Sequence, residues 1–547
     1  MDGLFAFIMG HFINGPANTG DGTRLLMTYL LVFILGLAQA ASYSLTASGP
    51  ASGLLQILSL AGLFYFWLVS KSPVRLTLAF GLGWLGVGLY WIYFSMHDIG
   101  GLPAPLSVLA LALLGAVMSG YYMVAAWLFR RFCRGRGVWR SVLGLPSVWL
   151  LAELARGYVF TGFPWLIGGY AQIDNPLLNG WFAVLGTYGV GFLAAFLAAT
   201  LVWSAVHWRN IRTVIWPVMA ALALMSAGLI VQGLHWGTPM QSPMTVRMVQ
   251  PNILQSTKFE ADSIQANTET FIRQSTESTA PLTVYPETVV PVAWIDLPEE
   301  MRASLKNTLA AQNRTVLIGS LGVDLAQRKV YNSGLWLNGE SDMDNPARYD
   351  KSHLLPFGEV VPWGFQWFVD VMNIPLGGFS RGEGYTPFEL THEDGTIRVG
   401  VNICYENEFG EELITAWRNG DAAAPNVWVN MTNLAWFGNH TNSPMHMQHL
   451  IMSRARALEM ARPVLVVTNT GLSANIDAMG HVVDLLPADE AAIKDVQVQG
   501  HSGMTPYIRW GNTPMFAWLI AFFAGLMFIK RGQPCAFPRP AHNAHPP

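Results

Sequence analysis

At 547 residues the chain is too long for one ordinary hydrophobic core, and two or more structural units are expected. Hydrophobic residues make up 52% and charged ones only 12%, which excludes a wholly soluble protein. A net charge of -3, without clustered basic residues on a folded unit, argues against a nucleic-acid surface, and Cys133, Cys404 and Cys535 provide neither a disulfide framework nor a zinc spacing.

In chain order, eight apolar stretches have about the 20 residues that a bilayer crossing needs: 25–45, 53–70, 76–96, 104–128, 141–158, 180–206, 213–233 and 510–529. Before residue 251 only Asp2, Asp21, Asp98, Glu153 and Asp174 are acidic. Glu153 and Arg156 interrupt the fifth stretch; charge there is costly in lipid, so both are expected to face a polar site. The first stretch has no basic leader and is read as a retained helix.

Basic residues in the short loops give the orientation. Lys71 and Arg75, the group Arg130, Arg131, Arg134, Arg136 and Arg140, then Arg209 and Arg212, and finally Lys530 and Arg531 share one side if the N-terminus is cytoplasmic. The polar segment then lies outside the cytoplasmic membrane. The expected organisation is a membrane domain over 1–235, an outer domain over 236–506, a last membrane helix over 507–531 and a disordered tail over 532–547, which carries His542 and His545.

Within the outer domain, short β-branched runs at 245–249, 282–285, 316–319, 333–337, 397–403, 427–430 and 464–468 alternate with helical patterns at 263–278, 299–312, 408–419 and 443–460. Buried strands alternating with helices predict sheets covered by helical layers, with functional groups at strand ends.

Three such ends carry chemistry. The strand up to Ile403 ends in Cys404, Tyr285 and Pro286 lead into Glu287, and Lys351 follows Tyr349 and Asp350. A free thiol has a pKa of about 8.5 and needs a base or a cation to become a nucleophile. Glu287 is suited to take the thiol proton, and Lys351 with the backbone N–H of Tyr405 to hold a tetrahedral oxyanion. No metal or organic cofactor is required. His440, His446 and His449 have a suggestive spacing, but no acid or further cysteine accompanies them. Trp363, Phe365, Trp367 and Phe368 crowd 360–378 and read as an interfacial arm that admits lipid, with Phe163 and Trp165 on the same rim.

The flanking sequences resemble the three signatures of the nitrilase superfamily: Tyr-Pro-Glu at 285–287, Tyr-Asp-Lys-Ser-His-Leu-Leu-Pro-Phe-Gly-Glu at 349–359, and Asn-Ile-Cys-Tyr-Glu at 402–406. Their longer forms, together with the membrane stretches, resemble the bacterial apolipoprotein N-acyltransferase family. Val-Gln-Pro-Asn at 249–252, Ala-Trp-Phe-Gly at 435–438, Arg-Ala-Arg-Ala-Leu-Glu at 454–459, Thr-Asn-Thr-Gly at 468–471 and Thr-Gly-Phe-Pro-Trp at 161–165 extend the similarity over nearly the whole chain.

The resemblance implies an α-helical membrane bundle of about eight transmembrane helices and an α/β nitrilase-like αββα sandwich on the periplasmic side of the inner membrane. It also implies a Glu287, Lys351 and Cys404 triad, with Glu359 supporting the lysine and base and with Tyr405 and Glu406 flanking the nucleophile. The implied reaction moves an acyl chain from a membrane phospholipid through a Cys404 thioester to the N-terminal amine of a diacylglyceryl-modified apolipoprotein, the enzyme acting as a monomer. Phe259, Trp363, Phe365, Trp436, Phe163 and Trp165 are the candidate substrate contacts.

Two positions depart from the family pattern: Leu434 stands where an aspartate is usual, and Phe259 where a tryptophan is common. Two other readings fit the same residues. A membrane-tethered amidase would hydrolyse a soluble amide, and an inert nitrilase-like domain would serve lipoprotein binding or transport.

Overall fold

The structure is a computed structural model that describes residues 21–44, 50–240, 242–361, 363–364, 366–367, 378–392, 395–439 and 441–528. Phe365, Phe368, His440, Lys530, Arg531, Cys535 and the tail with His542 and His545 lie outside the described residues.

Among the described residues, six helices are long and apolar enough to cross a membrane, the longest running continuously from Ala104 to Cys133. The stretch expected at 76–96 is instead a broken helix: Pro73–Gly81, a π-helical turn Leu82–Gly86, a short helix Ile92–Phe94 and a second π-helical turn Ser95–Ile99. Close packing accompanies the break. A Cβ on Gly83 would stand 2.4 Å from the Phe33 carbonyl oxygen, and one on Gly36 would stand 2.1 Å from that of Phe80. Small residues let these two backbones approach, as in other membrane helix pairs. The last apolar helix, Thr513–Phe528, is described over 16 residues and packs on Gly144–Tyr158 and Phe182–His207.

Glu153 and Arg156 are both buried, as their cost in lipid requires. Instead of pairing with each other they hold the loop that follows. Glu153 Oε1 accepts from the Gly168 N–H at 2.6 Å, while Arg156 donates to the carbonyl oxygens of Phe163 at 3.0 Å and Trp165 at 2.5 Å.

The outer half is built on two six-stranded sheets. One runs Ala492–Val498, Met244–Gln250, Leu282–Val284, Thr315–Asp324, Lys329–Leu337 and Arg348–Asp350; the other runs Val482–Leu485, Ala474–Ile476, Val464–Thr468, Val427–Thr432, Gly395–Ile403 and Phe388–His392. The middle strands pair in parallel and the flanking ones antiparallel.

The sheets share one core, in which Val246, Leu282 and Leu317 meet Val401, Val429 and Leu465. Ala261–Glu277 and Glu299–Gln312 cover the first sheet through Phe271, Leu305 and Leu309. Met445–Met460 covers the second. This is the αββα sandwich.

In these two sheets the five described strands without a sequence expectation are short or lie toward the sheet edges, where polar residues blur the alternation: in Ala492–Val498 most side chains are exposed. The helix expected at 408–419 is divided into 3-10 turns at Cys404–Glu408 and Ile414–Trp417 around a four-residue helix Gly410–Leu413.

The two halves join along a polar seam. Glu459 Oε1 accepts from the Thr187 N–H and hydroxyl, each at 2.7 Å, and its other oxygen pairs with Arg456 at 2.9 Å. Gln448 Oε1 accepts from the indoles of Trp91 at 3.0 Å and Trp165 at 2.7 Å.

Candidate active site

Glu287 follows the strand Leu282–Val284 in a loop that lies directly on the next strand. A Cβ on Gly319 would meet the Glu287 Cα at 2.7 Å, so this approach requires glycine. Lys351 follows the edge strand Arg348–Asp350, and its N–H is anchored on the Asn332 carbonyl oxygen at 2.9 Å. The Lys351 ammonium, 1% exposed, stands 2.8 Å from Glu359 Oε2 and 3.6 Å from Glu287 Oε1.

Asn332 links the two acids. Its amide nitrogen donates to Glu287 Oε1 and to Glu359 Oε1, both at 2.7 Å. The Asn433 N–H donates to the remaining Glu287 oxygen at 2.9 Å, and the Leu355 N–H to Glu359 Oε2 at 2.8 Å. Burial alone would pull the Lys351 ammonium down, but Glu359, Glu287 and Cys404 together hold it above the usual lysine range.

Cys404 ends the strand Gly395–Ile403 in left-handed backbone, φ 53°, which few residues other than glycine adopt. Its neighbours enforce the turn. Glu406 accepts from the Ile403 N–H at 2.7 Å behind the cysteine, from the Ser352 and His353 N–H groups at 2.6 and 3.0 Å, and from the Tyr349 hydroxyl at 2.7 Å. It therefore ties the lysine loop to the cysteine turn, with its carboxylate committed to structure. Burial pushes the Cys404 thiol up to about 12, Glu287 adding to the rise and Lys351 opposing it. That shift favours the protonated thiol over the thiolate at neutral pH.

Glu287, Lys351, Cys404 and Glu359 thus form one electrostatically coupled group. The other sequence candidates are distributed around it. Tyr405 directs its hydroxyl to the Gly162 carbonyl oxygen at 2.9 Å and stacks on Phe163 with ring centroids 6.4 Å apart. Trp165 is 2% exposed, held by Gln448 inside the seam, so an open rim position is corrected to a buried one. Trp436 is half-buried, Phe259 is partly exposed, and Trp363 is 99% exposed.

Leu434 replaces the usual acid with an apolar contact, since it is buried in the core that Tyr405, Phe409 and Met445 share with the membrane half. His446 directs Nε2 to the Gly438 carbonyl oxygen at 3.1 Å. His449 is buried under the cysteine turn, and burial takes its imidazole down to about 4.

Sequence reasoning missed Asn332, Asn433 and Lys258. Asn332 had one available signal, an amide in a strand that after Lys329 is otherwise small, aromatic or aliphatic, where a buried polar group needs partners.

Residues 36–200 match the family model of the apolipoprotein N-acyltransferase N-terminal domain, and residues 245–503 match that of carbon-nitrogen hydrolase. The chain is 39% identical over 491 residues to the apolipoprotein N-acyltransferase of Ralstonia nicotianae, covering 87% of this chain and 90% of that one. The chain belongs to the apolipoprotein N-acyltransferase family. A second member, from Nitrosomonas europaea, is 34% identical and covers 92% of this chain and 98% of its own. Among solved structures, Nit3 of Saccharomyces cerevisiae covers 53% of this chain and 96% of its own, at 17% identity and a TM-score of 0.34. As an apolipoprotein N-acyltransferase family member, this chain is a multi-pass membrane enzyme that transfers an acyl group.

Proposed function

We propose that Cys404 carries an acyl chain from a membrane phospholipid to the α-amine of the N-terminal diacylglyceryl-cysteine of an apolipoprotein, with Glu287 as base and Lys351 as oxyanion partner. The observation that carries this is the buried Lys351 ammonium held between Glu287 and Glu359 with the Cys404 thiol in their field, in a half that is joined to membrane helices through Tyr405 and Gly162.

In the first half-reaction Glu287 takes the thiol proton as sulfur attacks the ester carbonyl. Negative charge moves to the carbonyl oxygen, opposite the Lys351 ammonium and the Tyr405 N–H. Collapse breaks the C–O bond, the leaving alkoxide recovers the proton from Glu287, and the lysophospholipid departs from a Cys404 thioester. In the second, the free amine attacks the same carbonyl, Glu287 takes a proton from nitrogen, and the C–S bond breaks. Returning that proton to sulfur restores the thiol and leaves an amide. Glu359 keeps Lys351 in place throughout; no cofactor enters either half.

The enzyme is read as a monomer of the bacterial inner membrane, with its catalytic half, 236–506, on the periplasmic side. Phe259, Trp363, Phe365, Trp436 and Phe163 are read as substrate contacts.

The test is mass spectrometry of the purified chain with labelled phospholipid, before and after a diacylated lipopeptide is added. Acyl-transfer chemistry predicts a Cys404-linked acyl group that the lipopeptide discharges as an amide, and none on Cys404→Ala. Rapid release of free fatty acid would favour an amidase, and no acyl adduct would favour a binding protein.

A further inference from the structure

The charges around Lys351 do not balance by themselves. Glu287 and Glu359 are two carboxylates, 8% and 7% exposed, that share one buried ammonium. Buried charges persist where they are paired, and an unmatched one favours its neutral form. A second lysine lies against the same loop. Lys258 is 1% exposed, and its Nζ is 2.9 Å from Thr288 Oγ1 and 3.5 Å from the Glu287 carbonyl oxygen.

We infer that Lys258 is a positioning residue of the acyl-transfer site, its buried ammonium matching the second carboxylate and keeping Glu287 charged to receive a proton. The inference rests on the reading of Glu287 as base. Glu287 and Glu359 then face two ammoniums, while the Glu406 carboxylate is met by the Ile403, Ser352 and His353 N–H groups, and moving the thiol proton to Glu287 leaves the net charge unchanged. When sulfur attacks, that same negative charge passes to the carbonyl oxygen, so the tetrahedral intermediate adds no further charge to the buried group.

Geometry beyond the charge count agrees. Thr288 has φ 46°, a left-handed backbone unusual for a β-branched residue, and the Lys258 bond caps it from behind. The segment carrying Lys258 is also held by other bonds: Gln255 accepts from the Asn433 amide at 2.8 Å, and Ile253 exchanges bonds with Asn469 at 2.9 and 2.8 Å. Loss of the ammonium therefore leaves the segment anchored. Burial brings the Lys258 ammonium down to about 8, with Glu287 opposing the fall. Lys258 meets Glu287 at its backbone carbonyl and feels its carboxylate; Glu359 and Lys351 lie across Asn332, and Cys404 and Glu406 lie beyond Lys351.

The test is the rate of Cys404 thioester formation from labelled phospholipid between pH 5 and 9, in the full chain and in Lys258→Met, Lys258→Arg and Glu287→Gln. Without the cation, the neutral acid form of Glu287 is favoured, and it cannot accept the thiol proton. The acidic limb of the Lys258→Met profile is expected about one pH unit higher than in the parent, with Lys258→Arg restoring it. A limb that stays in place, however much the rate falls, overturns the inference and leaves Lys258 a structural bond. Should Lys258→Met not fold, Lys258→Gln keeps a polar head for Thr288 without the charge and is read by the same limb. Parent-like charging of Cys404 in Glu287→Gln would refute the base itself, an outcome distinct from an unmoved lysine limb.

Discussion

At Asn332 one amide nitrogen serves two acids, and this small arrangement has large consequences. Asn332→Ala leaves both carboxylates short of a donor, and a hydrogen bond to a charged group is worth about 1.5–3 kcal/mol. Thioester formation is expected to fall by about ten- to a hundredfold. Asn332→Asp should fall further, because it adds a third negative charge; a stopped-flow measurement with labelled phospholipid that ranked aspartate above alanine would contradict this. Cys404 supplies a second test. With its thiol up at about 12, alkylation by iodoacetamide should be slow at pH 7.5 and still rising at pH 10. A rate that levels off below pH 8 would show a resting thiolate instead. As candidates, Glu287 and Cys404 are legible because each ends a strand pattern, and Lys351 because of its distinctive neighbours. Asn332 and Lys258 make their contacts across 27 to 45 positions of chain, which one sequence does not display.

The turn from Ile403 to Glu408 shows how elements support those residues. Its 3-10 geometry begins in a left-handed cysteine, and Glu406 accepts from backbone and hydroxyl donors on both the cysteine turn and the lysine loop. Glu406→Gln keeps the shape but exchanges one accepting oxygen for a donor, which then faces other donors. A loss of about 3 kcal/mol is expected, seen as a lower thermal midpoint together with lost acylation. A parent-like midpoint would mean that the two loops hold their register without this carboxylate. Central strands and amphipathic helices were readable from periodicity: the helix expected at 299–312 is Glu299–Gln312. Periodicity failed where tertiary contacts override it. The 76–96 stretch is uniformly apolar, and its π turns accompany glycine contacts with another helix. The 408–419 pattern suits a helix, yet the local chain bends at Phe409 and fits the polar seam.

Across the whole molecule, that seam places ionisable groups where water is scarce. Glu408 is 3% exposed, and neither carboxyl oxygen has a hydrogen-bond partner among the described residues. Burial pushes this acid up to about 8; Arg456 and Arg156 oppose the rise, and Glu411 adds to it. The folded state thus binds the proton more tightly than the unfolded chain, whose carboxyl titrates near 4.5. Stability from this group is complete below that lower value and is lost as pH rises through about 8, at up to about 1.4 kcal/mol per pH unit. Other buried groups titrate with the opposite sign. Lys258, down at about 8, gains stability above that pH, and His449 gains it between about 4 and 6.5. The difference between parent and Glu408→Gln removes both contributions. In thermal unfolding of the detergent-solubilised enzyme, the glutamine variant is expected to gain on the parent from pH 6 to about pH 8 and to level off above it. Glu411, up at about 7, leaves a smaller residual slope in both proteins. A constant offset across that range would mean that Glu408 is already ionised at the seam, with water or a guanidinium supplying the bonds it lacks.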